Sequence, residues 1–261
     1  MSIVFVTVPG DEKRMFANAL HQKTKGNVRL VIIQKPQQKQ SFLKRLKRLY
    51  DKVGWYNLPK EFWYALLLRV NGAKRALGYF REFTVSGQQK YIPEFLEVDS
   101  VNSDEVYEII KTISPKLLVI WGNTILAPRL LATAESSINL HMGLCPFYVG
   151  ALANQQAVLL GDFNHIGATI HHAKEKVDSG DIIATISADQ TKPPREMFRD
   201  LNNRIIPLFL DISVKIFIGE KVPAISQDIS RSKKLLLRQW VPSVRYAVGS
   251  KILKLEKEYK K

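Results

Sequence analysis

The sequence predicts an α/β fold with a mostly parallel central sheet. Two short stretches, Ile3 to Val8 and Leu117 to Trp121, are apolar on both faces, as strands are when helices cover the sheet on each side. Between them a helical stripe separates the first strand from a second one at Val28 to Ile33. With 261 residues, 46% of them hydrophobic, the chain can build one sizeable core and a small appendage, but hardly two independent enzymes.

Each element follows from local residue order. Pro9-Gly10-Asp11 ends the first strand, and Glu12 to His21 reads as a helix with Met15, Ala19 and Leu20 on one side. The Gly26-Asn27 turn leads into the second strand. This strand, helix, strand opening is of Rossmann type. Yet Val8-Pro9-Gly10-Asp11 is no Gly-x-Gly-x-x-Gly fingerprint, and a nicotinamide dinucleotide is not supported. Ser41 to Phe83 carries two helical patterns, with Phe42, Leu43, Leu46, Leu49, Tyr50 and Val53 in the first and Phe62 to Leu77 in the second. The preferred reading is a basic helical insertion, about 41–83, that packs Trp55, Phe62 and Trp63 on the core. The other reading is a basic amphipathic helix on an anionic membrane surface.

Tyr91 to Val98 reads as extended, and Ser103 as the N-cap of a helix whose buried stripe is Val106, Ile109, Ile110 and Ile113, ended by Ser114-Pro115. Leu117 to Trp121 is the third strand, and Gly122 to Leu126 leaves it at the carboxyl end of the sheet, where open α/β sheets bind ligands. Pro128 starts a short helix through Ala134, and Ser137 to His141 is the next strand. Ala151 to Leu160 reads as a helix, Ile166 to His171 and Asp181 to Ile186 as strands. Pro193-Pro194 opens a long helix on Met197, Leu201, Ile205, Leu208 and Ile212, which Pro207 should kink or split. From Glu220 a basic extension follows, an oligomer contact, as in a homodimer, or a lid. The division expected is 1–219 for a catalytic domain and 220–261 for the extension.

The unusual polar residues lie between Ile138 and Ala184. Asn139 and His141 are two apart on an extended segment, so both side chains leave it on one side. Asp178, in the Val177-Asp178-Ser179-Gly180 turn, reaches them if the chain between returns as a helix and a strand. An amide and a protonated imidazole aimed at one point stabilise the oxyanion of an acyl-transfer reaction, and a carboxylate keeps the imidazole charged. Cys145, the one cysteine, is followed by Pro146 and has no nucleophile-elbow setting, so the acceptor should be a group on the substrate such as an amine. His171 and His172 on one strand face opposite ways and cannot share a metal ion, so no metal site is expected. His171 is a support residue or plain structure.

Asn139-Leu140-His141, Leu144-Cys145-Pro146, Tyr148-Val149-Gly150, Gly167-Ala168-Thr169-Ile170-His171 and Val177-Asp178-Ser179-Gly180 together resemble, in order and spacing, the N10-formyltetrahydrofolate-dependent formyltransferases. The resemblance implies Asn139, His141 and Asp178 as catalytic residues and 10-formyltetrahydrofolate as formyl donor. By position it implies folate contacts at Asn123, Thr124, Ile125, Leu126 and Val177, and acceptor contacts at Phe147, Tyr148 and Gly150. Met142-Gly143 and Val149 depart from the usual pattern beside the acceptor pocket, which bears on the substrate more than on the reaction. A short tail and a basic insertion point, by elimination within the family, to a nucleotide-linked amino sugar and to surface polysaccharide (lipopolysaccharide O-antigen) biosynthesis. The alternatives are phosphoribosylglycinamide or methionyl-tRNA as acceptor, or a basic module that binds nucleic acid or membrane without catalysis.

A balance of 39 basic against 24 acidic residues, +15 in all, implies anionic company. From Lys35 to Lys90 13 basic residues face Asp51, Glu61 and Glu82, a net of +10, and from Ile229 to Lys261 10 face Glu256 and Glu258, a net of +8. Such flanks suit a substrate pyrophosphate or an anionic membrane surface; nucleic acid is not the expected partner. One cysteine and the absence of a basic leader before Ile3 lead to the expectation of a cytoplasmic enzyme.

Overall fold

The computed structural model describes residues 1–36, 41–84, 90–122 and 125–259. Its elements run β1 (Ile3–Thr7), α1 (Asp11–Lys23), β2 (Val28–Gln34), α2 (Phe42–Val53), α3 (Leu58–Val70), α4 (Ala73–Gly78), β3 (Phe95–Val98) and α5 (Asp104–Ile113). Then come β4 (Leu117–Trp121), α6 (Pro128–Leu131), β5 (Ser136–His141), α7 (Ala153–Leu160), β6 (Gly167–His172), β7 (Ile182–Ser187), α8 (Pro194–Ile218) and α9 (Pro242–Glu258).

Seven strands form one sheet in the order β3-β2-β1-β4-β5-β6-β7. The first five in that order pair parallel, and β6 and β7 join antiparallel. All five residues of β1 are buried, because alternate side chains enter different layers. Ile3 and Phe5 pack with α1, α8 and α9, whereas Val4 and Val6 pack with α5 and α6. A strand covered on both faces has to be apolar throughout, which is why the alternation is missing from its sequence.

Local chemistry places the ends. Ser103 accepts from the Val106 amide at 3.4 Å and caps α5, and Ser114, at φ 45°, stops it before Pro115. The second helical pattern of the insertion divides into α3 and α4, since Gly72 takes a left-handed φ of 74° between them. Pro207 does not split the long helix: α8 is continuous from Pro194 to Ile218. Buried Met197, Leu201, Ile205, Phe209 and Ile212 hold it to the sheet on both sides of the proline, and that burial offsets a lost hydrogen bond. Phe209 takes the core place expected of Leu208, stacking on Phe16 with ring centroids 4.9 Å apart.

The insertion departs most from expectation. Trp55, Phe62 and Trp63 are exposed rather than packed on the core, and no residue of α2 is buried. The reason is that α9 occupies the inner faces of α3 and α4. Glu61 turns inward there and accepts from the Ser243 backbone at 2.8 Å and its hydroxyl at 2.6 Å, which satisfies the start of α9. Val248 and Ile252 of α9 reach the main core. Among the described residues no helix is long and apolar enough to cross a membrane.

Candidate active site

The site forms where the parallel part of the sheet meets its antiparallel edge. β5 and β6 pair in a register that sets Asn139 opposite His171 and His141 opposite Thr169. Thr169 fixes the loop that follows β5: its hydroxyl donates to the Gly143 carbonyl at 2.7 Å and accepts from the Cys145 amide at 3.0 Å. Asn154 of α7 ties the start of β6, exchanging two hydrogen bonds with the Gly167 backbone at 2.9 and 3.0 Å.

Asp178 arrives on the turn between β6 and β7 with a left-handed φ of 52°, a conformation that Asp tolerates better than most residues. The turn presses so close to β6 that a Cβ on Gly180 would lie 1.7 Å from the His172 carbonyl oxygen, so only glycine fits. Asp178 Oδ2 accepts from the Gly150 amide at 2.7 Å and lies 3.4 Å from His141 Nδ1. Asp178 Oδ1 lies 3.4 Å from His171 Nε2, and His171 Nε2 lies 3.1 Å from Asn139 Nδ2. The structure thus gathers the three residues expected from the sequence around one carboxylate and adds His171, the residue left undecided there.

Charge follows from these surroundings. Burial works to raise the Asp178 pKa, but His141, His171 and the Gly150 amide outweigh it and hold the group well below the usual carboxylate range. His141 goes the other way to expectation. Burial, the largest influence, lowers its pKa against the pull of Asp178, so the ring is neutral at neutral pH rather than held charged. Its Nε2 lies 3.2 Å from the Tyr148 carbonyl, and Nδ1 faces Asp178. Both nitrogens face acceptors, so a neutral ring leaves one of them without a hydrogen and poised to take a proton. The Cys145 thiol is pushed up to about 12 by burial, and a thiol that stays protonated is no nucleophile.

Asn139, His171 and Asp178 line a cleft whose other walls are Ile120, Ile125, Leu126, Leu131, Ala173, Lys174 and Val177. Ile125, Leu126 and Val177, expected as folate contacts, do line this cleft; Asn123 and Thr124 lie outside the described residues. The acceptor contacts divide. Phe147 is half exposed and packs on His165 with ring centroids 4.1 Å apart. Tyr148 is buried, with its hydroxyl donating to Asp162 at 2.7 Å, and so has no face to offer a substrate. Gly150 is buried too, and its amide is committed to Asp178.

The C-terminal segment supplies residues that the sequence did not single out. Gln227 donates to the Asp178 carbonyl at 3.0 Å, and the Ser232 hydroxyl donates to the Pro146 carbonyl. Lys233 exchanges backbone hydrogen bonds with Phe147 and Val149, at 2.9 and 3.1 Å. One strap therefore holds both loops that frame Asp178. No motif marks such backbone-directed contacts.

The sequence profile described as Formyl transferase matches residues 1–206. The chain belongs to this formyl transferase family. Among curated members it is 30% identical, over 148 residues, to the methionyl-tRNA formyltransferase of Syntrophomonas wolfei, a match covering 55% of this chain and 47% of that protein. It thus spans about half the length of the curated formyltransferases it matches. In fold it is similar to a sugar N-formyltransferase from a Shewanella species, with a TM-score of 0.54 and 13% identity over 94% of this chain and 88% of the other. It is also similar to an N-formyltransferase from Helicobacter canadensis solved with folinic acid and dTDP-3-aminofucose, with a TM-score of 0.50 and 10% identity over 95% and 79% of the two chains.

Proposed function

We propose that the protein transfers the formyl group of 10-formyltetrahydrofolate to the amine of a nucleotide-linked amino sugar, in the cytoplasm, for surface polysaccharide assembly. The observation that carries this reading is the carboxylate of Asp178 shared between His141 and the His171–Asn139 pair on the wall of a largely apolar cleft. Ile120, Leu126 and Val177 offer apolar walls suited to a flat ring system, in the same cleft as the groups able to act on a carbonyl. Bound there, 10-formyltetrahydrofolate supplies a formyl carbon already attached to nitrogen.

Asn139 donates an amide hydrogen to the formyl oxygen as the amine adds and negative charge gathers on that oxygen. Asp178, ionised and on the cleft wall, accepts the proton that the amine loses. His141 takes that proton on from Asp178, because charge developing beside it offsets the burial that keeps the ring neutral. Asp178, the member of this pair that lines the cleft, takes the proton back and gives it to the departing folate nitrogen, so the amine gains a formyl group in exchange for one hydrogen.

The amino-sugar acceptor is supported by the exposed part of the Phe147 ring, able to meet a base or sugar, and by Lys233 and Lys234 beside the Tyr148–Gly150 loop for the phosphates. The fold neighbours named for sugar amines agree with it. Methionyl-tRNA is the second reading, favoured by the names of the sequence relatives. Incubation with 10-formyltetrahydrofolate and a panel of nucleotide amino sugars, read by the mass gain of one CO, tests the first reading. Transfer to methionyl-tRNA and to no sugar supports the second, and transfer to neither overturns both.

A further inference from the structure

One surface of this protein has no part in the cleft. Taken at 100° per residue, α2 gathers Phe42, Leu43, Leu46, Leu49, Tyr50 and Val53 within about 120° of its circumference. Lys44, Arg45, Lys47, Arg48 and Lys52, against Asp51 alone, fill the rest. Part of the apolar arc faces solvent: Phe42 is 69% exposed and Leu43 73%, while Leu46, Leu49 and Val53 are half-buried. Next along the chain Trp55, 61% exposed, stacks on Tyr56 at 3.6 Å between centroids. On α3, Phe62, Trp63, Leu66 and Val70 recur along its outer side and are also exposed, while Glu61 and Leu68 face inward. Scattered apolar residues are normal on a soluble surface; so many exposed aromatic and aliphatic ones on two consecutive helices are not.

Charge says what can cover it. A second copy of the chain would bring five basic side chains of α2 against five more, with one Asp on each side to answer them. A nucleic acid would meet the lysines and arginines but give Leu43, Leu66 and Val70 no apolar phase to enter. A bilayer with anionic lipids meets both requirements. Its boundary region takes Trp and Tyr rings and the aliphatic arc, and Lys and Arg stems bend their charges back to the phosphates.

We propose that α2 and the outer side of α3 seat this protein on an anionic membrane surface, with α2 lying in the plane of the headgroups. The net +10 between Lys35 and Lys90 is then the long-range attraction, and the aromatic series is the anchor. Neither helix contributes a side chain to the Asn139, His171 and Asp178 cleft, so docking and chemistry separate by mutation.

The test is sedimentation of the full chain with vesicles of phosphatidylcholine alone and of phosphatidylcholine with phosphatidylglycerol. Wild type should pellet with the anionic vesicles only, releasing as salt rises. The pairs K44Q/R48Q and W55S/W63S should each lower partitioning by more than about tenfold, with circular dichroism and melting temperature preserved. A blue shift of tryptophan emission on adding anionic vesicles, reduced in W55S/W63S, adds a readout of insertion. Wild type that stays in the supernatant overturns the proposal, as do variants that bind like wild type. A concentration-dependent dimer that W55S/W63S disperses overturns it too, by identifying a second copy as the cover.

Discussion

Asn139 and His171 face each other across adjacent antiparallel strands, with Nδ2 and Nε2 3.1 Å apart. His171 Nδ1 is 2.7 Å from the His172 carbonyl, and Nε2 stands between Asn139 Nδ2 at 3.1 Å and Asp178 Oδ1 at 3.4 Å. The ring thus ties the Asn139 amide to the carboxylate and holds both where the cleft begins.

His171 is accordingly a positioning residue. His171→Ala should lower kcat by about 100-fold, the scale of a misaimed catalytic group, while KM for the amine changes little. His171→Gln, whose amide oxygen can accept from Asn139, should recover part of the loss. A wild-type kcat in His171→Ala, or an equal rise in KM and fall in kcat, removes the role. The measurement is steady-state formyl transfer on the acceptor found in the screen.

Asn139→Ala and His141→Ala act on the chemistry more directly. Each should cost on the order of 100 to 1,000-fold in kcat, as loss of a donor or proton carrier at a developing oxyanion does. Thermal melting separates the two. Asn139 is only part-buried and its loss should leave stability near wild type, whereas His141 is buried against Gly143 and Ala153, so its truncation should lower Tm as well.

The titration of His141 carries a sign. Its folded pKa lies below the usual imidazole value of 6.5, so the unfolded chain binds the proton more readily. That contribution to stability is complete above 6.5 and is lost as pH falls toward the folded value. Asp178, also depressed, adds stability that is present above the usual carboxylate pKa and lost only at strongly acid pH. Because Asp178 pulls the His141 pKa up, Asp178→Asn should move the His141 imidazole titration, followed by NMR, to lower pH still. A move to higher pH would contradict the upward pull of Asp178, and a wild-type ring titrating above 6.5 would contradict burial as the dominant influence.

How much of this was legible in the sequence follows from how each feature is encoded. Asn139 and His141 share a strand face by period alone, and Asp178 was placed by an ordered set of short motifs. Strands such as β1 and β4 declare themselves by unbroken apolar runs. The bundle behind them does not: whether Trp55, Phe62 and Trp63 are core or surface depends on α9, which arrives about 180 residues later and takes the inner faces first. The charge state of His141 was misread for a similar reason, because a partner carboxylate is visible in the residue order and the depth of burial is not. Gln227 and Lys233 act on backbone groups, and the sequence writes no pattern for that. Tyr148 looked like a loop aromatic until its hydroxyl was found on Asp162.

Gly180 offers the sharpest test of how the turn bearing Asp178 is held. A methyl there would meet the His172 carbonyl at 1.7 Å, a backbone atom that cannot swing aside, so either the turn or the end of β6 must move. Moving the turn displaces Asp178, and moving β6 displaces His171; both lead to the same loss. Gly180→Ala should therefore lower stability by at least the roughly 1 to 3 kcal/mol typical of overpacking and reduce kcat per folded molecule. Gly161→Ala is the comparison. Gly161 ends α7 at φ 75° with only the end of Lys251 near its missing Cβ, so alanine there is strained by the backbone alone, at about 1 kcal/mol. It should melt earlier and yet turn over at the wild-type rate per folded molecule. If both variants lose stability and neither loses rate, the close approach of Gly180 to His172 does not set the position of Asp178.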